Sequence, residues 1–285
     1  ISEQLKFTLD ETNLPKLGKK YPAKVRDVYS TDDKIFLIAT DRQSAFDRIL
    51  ARVPFKGQVL TQTSVFWFKK TEDIIPNHVI NVPDPNVIAC KKLNVFPVEV
   101  IVRGYITGVT NTAAWAAYQK GERDFCGNIL PEGLKKNQRF DKPIITPTTK
   151  SEEHDKQLSG KEIIERKLMS KEQWDFVSKK ALELFQRGSE IAAKNGLVLV
   201  DTKYERFNKG QEPENIDKEY LRLWFVKNCD PYRDKVLPKA PNELVIELSR
   251  IYMQLYEMIT GNKFKAEVGD VRKRIEKNLK DYGYL

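Results

Sequence analysis

The spacing of apolar positions changes character halfway along the chain. In the first half the runs are short. AKVRDVY and KIFLIA flank the polar tip STDD, which predicts a β-hairpin. NVIACKKL and FPVEVIVRGYI lie either side of Asn94 and predict a second strand pair. Between these pairs, LTQTSVFWFKKT brings Leu60, Ser64, Trp67 and Phe68 near one face of a short amphipathic helix. In the second half the period lengthens. Ser170 and Gln173 form a capping-box pattern, and Trp174, Val177, Ala181, Leu184, Ile191 and Ala192 keep helical spacing up to a stop at Gly196. The apolar run LVLV follows and emerges into Asp201, Lys203 and Glu205. Continued as one strand, those three charges share a face. After the polar linker RFNKGQEPENIDKE come DKEYLRLWFVKN, a helix bounded by Pro241 and Gly261, and a last helix in EVGDVRKRIEKNLKDY. Strands followed by helices, without regular alternation, predict an α+β fold and argue against a doubly wound parallel sheet. Three regions are expected: a β-rich lobe over 1–95, a central α+β domain over 96–213 and a helical region over 214–285.

Composition narrows the class. Hydrophobic residues at 40% and charged residues at 31% describe a chain that buries a core, not a disordered one. The longest apolar runs are far too short to cross a bilayer. The chain opens at Ile1 without a charged-then-apolar leader pattern, which reads as a processed or trimmed start. Cys90, Cys126 and Cys229 are scattered and form no CxxC pair, which argues for a reducing, cytoplasmic setting and against a zinc site. With only His78 and His154, neither a histidine-rich metal centre nor a Ser-His-Asp triad is expected. The net charge of +9 admits a polyanionic partner. Its lysines are interleaved with acids and lack stacking aromatics, so a small phosphorylated substrate is a better reading than nucleic acid.

Candidate chemistry gathers at strand ends. Lys24 and Arg26 fall two residues apart on an expected strand, as phosphate ligands or as a solvated sheet face. Asp41, Arg42, Ser44 and Asp47 follow the strand IFLIA in an expected loop, as binding groups or as turn formers. Arg103 leaves another apolar strand ahead of Thr107, Thr110 and Thr112, as an anion clamp or as the partner of an acid such as Glu99. The elbow PIITPTTKSEEHD carries Thr146, Thr148, Thr149 and Lys150 without the glycines of a Walker loop. Asp201 and Glu205 are hard oxygen donors suited to magnesium with nucleotide phosphates, and Lys203 offsets phosphate charge. Together these features favour a phosphate-handling enzyme. A small-molecule kinase and a basic nucleic-acid-binding protein are the competing readings.

Taken in order, AKVRDVY, ATDRQSAFDRIL, KGQVLTQTSVFWF, VEVIVRGYITG, ITPTTKSEEHD, LVLVDTKYE and NIDKEYLRLWF resemble the SAICAR synthetase family over most of the chain. The resemblance implies ATP-dependent ligation of the carboxylate of the ribotide CAIR to L-aspartate, with magnesium, in purine biosynthesis. It implies a nucleotide site between a β-rich lobe and an ATP-grasp-like, kinase-like central domain. Carried over by motif, Lys24, Arg26 and Lys150 belong to the nucleotide side. Asp41, Arg42 and Ser44 line the substrate pocket, and Arg103, Thr110, Asp201 and Arg222 face the ribotide. Asp201 and Lys203 are the catalytic pair, and Glu205 is the magnesium ligand at the nucleotide. The implied partners are small molecules, with no nucleic acid and no membrane; monomer and homo-oligomer both stay open.

Three positions depart from the family pattern. Ala23 replaces a usual glycine, and Val109 replaces a frequent serine, which leaves Thr110 to supply that hydroxyl. After DTKYE the family continues through a hairpin, an acidic strand and an HTPDSSR-like loop that carry a second metal carboxylate and another arginine. Here RFNKG follows at once. Either the chain has lost half of its metal site, or the sequence joins two pieces across a missing segment, which is the reading we favour. An α-carbon step well beyond about 3.8 Å near Tyr204–Arg206 is the expected mark of such a seam.

Overall fold

The structure, a computed structural model, describes residues 1–108, 113–149, 156–201, 204–205 and 218–285. In chain order its elements are β1 (Lys19–Pro22), β2 (Arg26–Ser30), β3 (Lys34–Ala39), β4 (Arg42–Ala45), β5 (Arg48–Arg52), α1 (Lys56–Lys70), β6 (Val79–Asp84) and β7 (Val87–Lys91). Then come β8 (Val98–Glu99), β9 (Val102–Ile106), α2 (Ala114–Gln119), β10 (Asp124–Phe125), β11 (Asn128–Ile129), β12 (Gln138–Ile145), β13 (Thr148–Thr149), α3 (Gly160–Glu165) and α4 (Lys171–Lys194). The chain closes with β14 (Val198–Leu199), β15 (Tyr204–Glu205), α5 (Lys218–Asn228), α6 (Asn242–Thr260) and α7 (Val271–Asp281). It divides into two compact units, one of residues 1–93 with 214–285 and one of residues 94–213.

The first unit is built on a five-stranded sheet in the order β1-β2-β3-β7-β6, with every neighbouring pair antiparallel. The predicted hairpin is present, with Ser30 opposite Ile35 across the tip. Tyr29, Phe36, Ile38, Val87 and Ala89 cover one sheet face and pack against Val271, Ile275 and Leu279 of α7. Those three α7 positions repeat every four residues while its lysines stay exposed, so the charge interleaving is a solvated helix back. A second core joins Leu50, Val53 and Val59 to Leu221 and Phe225 of α5 and to Val245, Leu248 and Tyr252 of α6. Helix α6 ends at Gly261, in the left-handed conformation at φ 71° that glycine adopts without penalty.

Helix α1 starts earlier than its apolar spacing predicts. Its buried positions are Lys56, Gly57, Gln58, Val59 and Thr61, so its first turn is what meets the protein. Gly57 permits this approach, because a Cβ there would lie 2.3 Å from the Ala39 carbonyl oxygen.

The second unit contains β9 paired with β12, β8 with β13, and the long helix α4. Ser170 and Gln173 form the expected reciprocal capping box, and Gly196 follows the helix at φ 71°. A second capping box, Ser159 with Glu162, starts α3.

Several expectations are corrected. NVIACKKL and FPVEVIVRGYI do not pair with each other: β7 lies between β3 and β6, whereas β8 and β9 take partners from 138–149. Apolar runs separated by a short polar link satisfy a hairpin pattern, but long-range pairing won. ATDRQSAFDRIL is not a loop; it forms the β4–β5 hairpin, with Arg42 opposite Arg52. Lys24 lies in the bend before β2, so it shares no strand face with Arg26. Finally, LVLVDTKYE is not one continuous strand. Val198 and Leu199 pair antiparallel with Glu205 and Tyr204, so the chain has reversed between them and the same-face argument fails. A short edge that pairs with its own continuation satisfies backbone groups that a lone strand end would leave open. The expected seam falls at Arg206, outside the described residues.

Candidate active site

In the first unit, buried charge organises the ends of β2, β3 and β4. Asp27 is fully buried, on the face of β2 that carries Tyr29. It accepts from the Thr12 amide at 2.7 Å and from Arg42 Nη2 at 2.9 Å, with Lys20 Nζ at 3.2 Å. Burial pushes its carboxyl up, but the bonds from Thr12, Arg42 and Lys20 outweigh it and hold it below the usual range. Arg42 also donates to the carbonyls of Asp10, Ala23 and Arg26. Its guanidinium therefore fixes the bend that presents Lys24.

Asp41 is 1% exposed. Its two carboxylate oxygens accept from the Leu9 amide at 2.7 Å and the Gly57 amide at 3.0 Å. Phe55, the N-cap of α1, provides no side-chain cap, so Asp41 supplies from a distance the acceptor that the first turn lacks. Burial nevertheless dominates and raises its pKa to about 6. Lys56, also buried, donates to the Arg42 carbonyl at 2.8 Å and sits over the Tyr252 ring. Ser44 is half-buried on β4. Thus Asp41 and Arg42 are tied into the frame of this unit, whereas Lys24 is exposed and Arg26 half-buried. Arg26 lines a cavity of about 130 Å³ with Leu37, Thr61, Ser64, Phe68 and His78. Lys24 pairs with Asp47 at 2.6 Å. Arg222, on α5, lies over the Phe46 ring at 5.2 Å.

In the second unit, Arg103 sits on β9 and is 9% exposed. Its Nε donates to Thr146 Oγ1 at 2.9 Å, and its Nη1 lies 3.4 Å from the Asp201 carboxylate. Asp201 is the partner, not Glu99. The backbone explains the meeting, because the Gly104 amide donates to the Val200 carbonyl at 2.8 Å and sets the next residues side by side. Gly104 also gives room to Phe185 of α4, whose ring would lie 3.0 Å from a Cβ there. Burial lowers the Arg103 pKa, against the pull of Asp201, yet an arginine remains charged. Of the remaining predicted residues, Thr110, Lys150 and Lys203 lie outside the described ones, and Glu205 is described only through its strand pairing. Among the described residues no three His, Cys, Asp or Glu side chains gather as a metal cluster.

The sequence reading missed Asp27 and Lys56. The only local signal for Asp27 was an acid on the core-facing side of an alternating strand. Lys56 carried none.

The frame is α+β with antiparallel pairing, and it carries exposed cations in one unit and, in the other, a largely buried couple of Arg103 within β9 and Asp201 after β14, which suits a class of protein that handles anions. The chain belongs to the SAICAR synthetase family, whose model matches residues 19–209. It is 52% identical over 309 positions to the phosphoribosylaminoimidazole-succinocarboxamide synthase of Legionella pneumophila strain Lens, covering 97% of this chain and 99% of that protein. The chloroplastic enzyme of that name from Arabidopsis thaliana is 48% identical, over 92% of this chain and 72% of its own length. Among solved structures, SAICAR synthase from Saccharomyces cerevisiae complexed with SAICAR superposes with a TM-score of 0.78 at 26% identity, covering 90% of this chain and 100% of that one. The chain is accordingly an ATP-dependent ligase of purine biosynthesis that joins CAIR to aspartate. The 309 aligned positions exceed the 285 residues of this chain, so the Legionella protein carries residues with no counterpart here. Among the described residues no helix is long and apolar enough to cross a membrane.

Proposed function

We infer that the ligation runs through an acyl phosphate, with Arg103 and Asp201 on the ribotide side and Lys24 and Arg26 on the nucleotide side. A carboxylate is a poor electrophile. Transfer of the γ-phosphoryl group to a CAIR carboxylate oxygen breaks the bond to the β-phosphate, releases ADP and gives the carboxyl carbon a phosphate leaving group. The aspartate amine then attacks that carbon, loses a proton and expels phosphate. Such steps rest on placement and on charge stabilisation, with little covalent work by protein. The observation that carries the reading is the Arg103 couple. A guanidinium held at Nε by Thr146 and at one Nη by Asp201 keeps a fixed plane, the geometry in which arginine recognises an anion.

Magnesium fits the donor chemistry. Asp201 keeps a partly exposed carboxylate, and this ion takes one or two carboxylates with its other ligands from phosphate and water. Asp201 and Glu205 would hold it, with Lys203 offsetting phosphate charge in this reading, and when bound the ion would do the same. Lys150, Thr110 and Arg222 complete the phosphate and ribotide contacts in this reading, while Asp41 and Arg42 act through the frame they fix. Three free, scattered cysteines support a cytoplasmic site of action.

ADP release on mixing the chain with CAIR, L-aspartate, ATP and magnesium is the test. Release that requires both CAIR and aspartate is expected. Release indifferent to aspartate, with a phosphorylated acid accumulating, would mean a kinase. Arg103→Ala should raise KM for CAIR on the order of a hundredfold, the loss that follows truncation of a buried, hydrogen-bonded charge, and leave KM for ATP within a few-fold. An equal rise in both would place Arg103 elsewhere.

A further inference from the structure

The β4–β5 hairpin turns through two residues, Phe46 and Asp47, between Ala45 and Arg48. Both lie in the left-handed region, at φ 54° and 57°. A two-residue turn with positive φ at both positions favours Asn-Gly, and bulky phenylalanine is among the least suited residues there. Strain of this kind persists where the surroundings hold it. Here they do. The Phe46 ring meets the Tyr232 ring edge-on at 5.1 Å and carries the Arg222 guanidinium at 5.2 Å. Arg48, on the next residue, donates to the carbonyls of Asp234 and Lys235. Asp47 binds the Lys24 ammonium at 2.6 Å although both side chains are mostly exposed, at 84% and 71%. One turn of two residues therefore touches two cations from distant parts of the chain.

We propose that the Phe46–Asp47 turn is a positioning element: Asp47 holds Lys24 for the nucleotide phosphates, and Phe46 holds Arg222 for the ribotide. The proposal rests on the assignment of Lys24 and Arg222 to those two substrates. Neither turn residue is a catalytic residue, because each acts through the cation it touches. Lysine has three donors, so one bond to Asp47 confines its flexible stem and leaves two donors for phosphate. A guanidinium stacked on a ring face is held in one plane, which sets the direction in which its edge can meet an anion.

Equilibrium binding of ATP and of CAIR, each measured alone by calorimetry on the full chain, tests this without requiring turnover. Asp47→Asn should weaken ATP about threefold and leave CAIR unchanged, the size an exposed ion pair permits. Phe46→Ala should weaken CAIR about fivefold and leave ATP unchanged, with recovery in Phe46→Tyr, which keeps a ring under the guanidinium. The double variant F46N/D47G separates positioning from folding. It suits the turn better, so its Tm should stay or rise while both ligands weaken. Loss of Tm together with both affinities would reduce the turn to a structural part, and tighter ATP binding by Asp47→Asn would make Asp47 a competitor; either overturns the proposal. Wild-type affinities kept by every turn variant would overturn it too. Failure of the wild-type chain to bind either ligand would instead sink the underlying site assignment.

Discussion

Asp41 shows how far a residue's role can lie from its local pattern. Its sequence neighbours, a polar run after an apolar strand, read as a binding loop. In the structure the carboxylate is sealed between two backbone amides and caps α1. Burial raises its pKa from 3.8 to about 6, so the ionised form is disfavoured by folding. The contribution to stability is full below about pH 4 and is lost as pH rises through 6. A rise from 3.8 to about 6 corresponds to about 3 kcal/mol. Urea unfolding at pH 4.5 and 7.5 should therefore show wild type losing stability relative to Asp41→Asn across that window. The variant should still be weaker at low pH, because an amide presents only one acceptor to two donors, a deficit of about 1–3 kcal/mol. Identical pH slopes in the two proteins would show that Asp41 does not titrate there. The sequence could not announce any of this, since the Leu9 and Gly57 amides are brought to Asp41 only by the fold. Arg103 was easier to read, because an arginine on an apolar strand needs a partner wherever it lies. Which acid it takes was set by the Gly104–Val200 backbone bond.

At the scale of elements, what the sequence revealed follows the range of the forces involved. Helices α4, α6 and α7 were legible because capping, periodicity and stop residues are all local. The β2–β3 hairpin was legible for the same reason. The partners of β7 and β9 were not, since strand pairing depends on residues far along the chain. The start of α1 was hidden too, because its first turn is buried by a close approach and not by an apolar stripe. That approach makes Gly57→Ala a sharp test. The new methyl would lie 2.3 Å from the Ala39 carbonyl oxygen and 2.4 Å from Asn86 Nδ2. The Asn86 amide donates to that same carbonyl, so both neighbours are held in place. Overpacking should outweigh alanine's better helix propensity and destabilise the protein by about 1–3 kcal/mol in urea unfolding. An unchanged or higher midpoint would mean that α1 shifts off the sheet freely.

At the scale of the whole molecule, the segments that enclose the first unit's cores come from opposite ends of the chain, which is why α7, last in sequence, completes a core begun by Leu9. The second unit lies between them in the chain, and its last described stretch before the linker is β15, at the point where the family pattern places a further acidic strand. The excess of aligned positions over chain length in the Legionella comparison agrees with a missing internal segment. If that segment carries a further metal carboxylate, then the magnesium site proposed on Asp201 and Glu205 is only its near half. A chimera with the Legionella residues inserted between Glu205 and Arg206 tests the idea. A further carboxylate should lower the magnesium concentration for half-maximal ADP release about tenfold, equivalent to about 1.4 kcal/mol. ATP affinity measured without magnesium should change little, because an added carboxylate would act on the nucleotide only through the metal. The same half-saturating magnesium in both proteins would show that the near half is sufficient and that the extra residues serve another purpose.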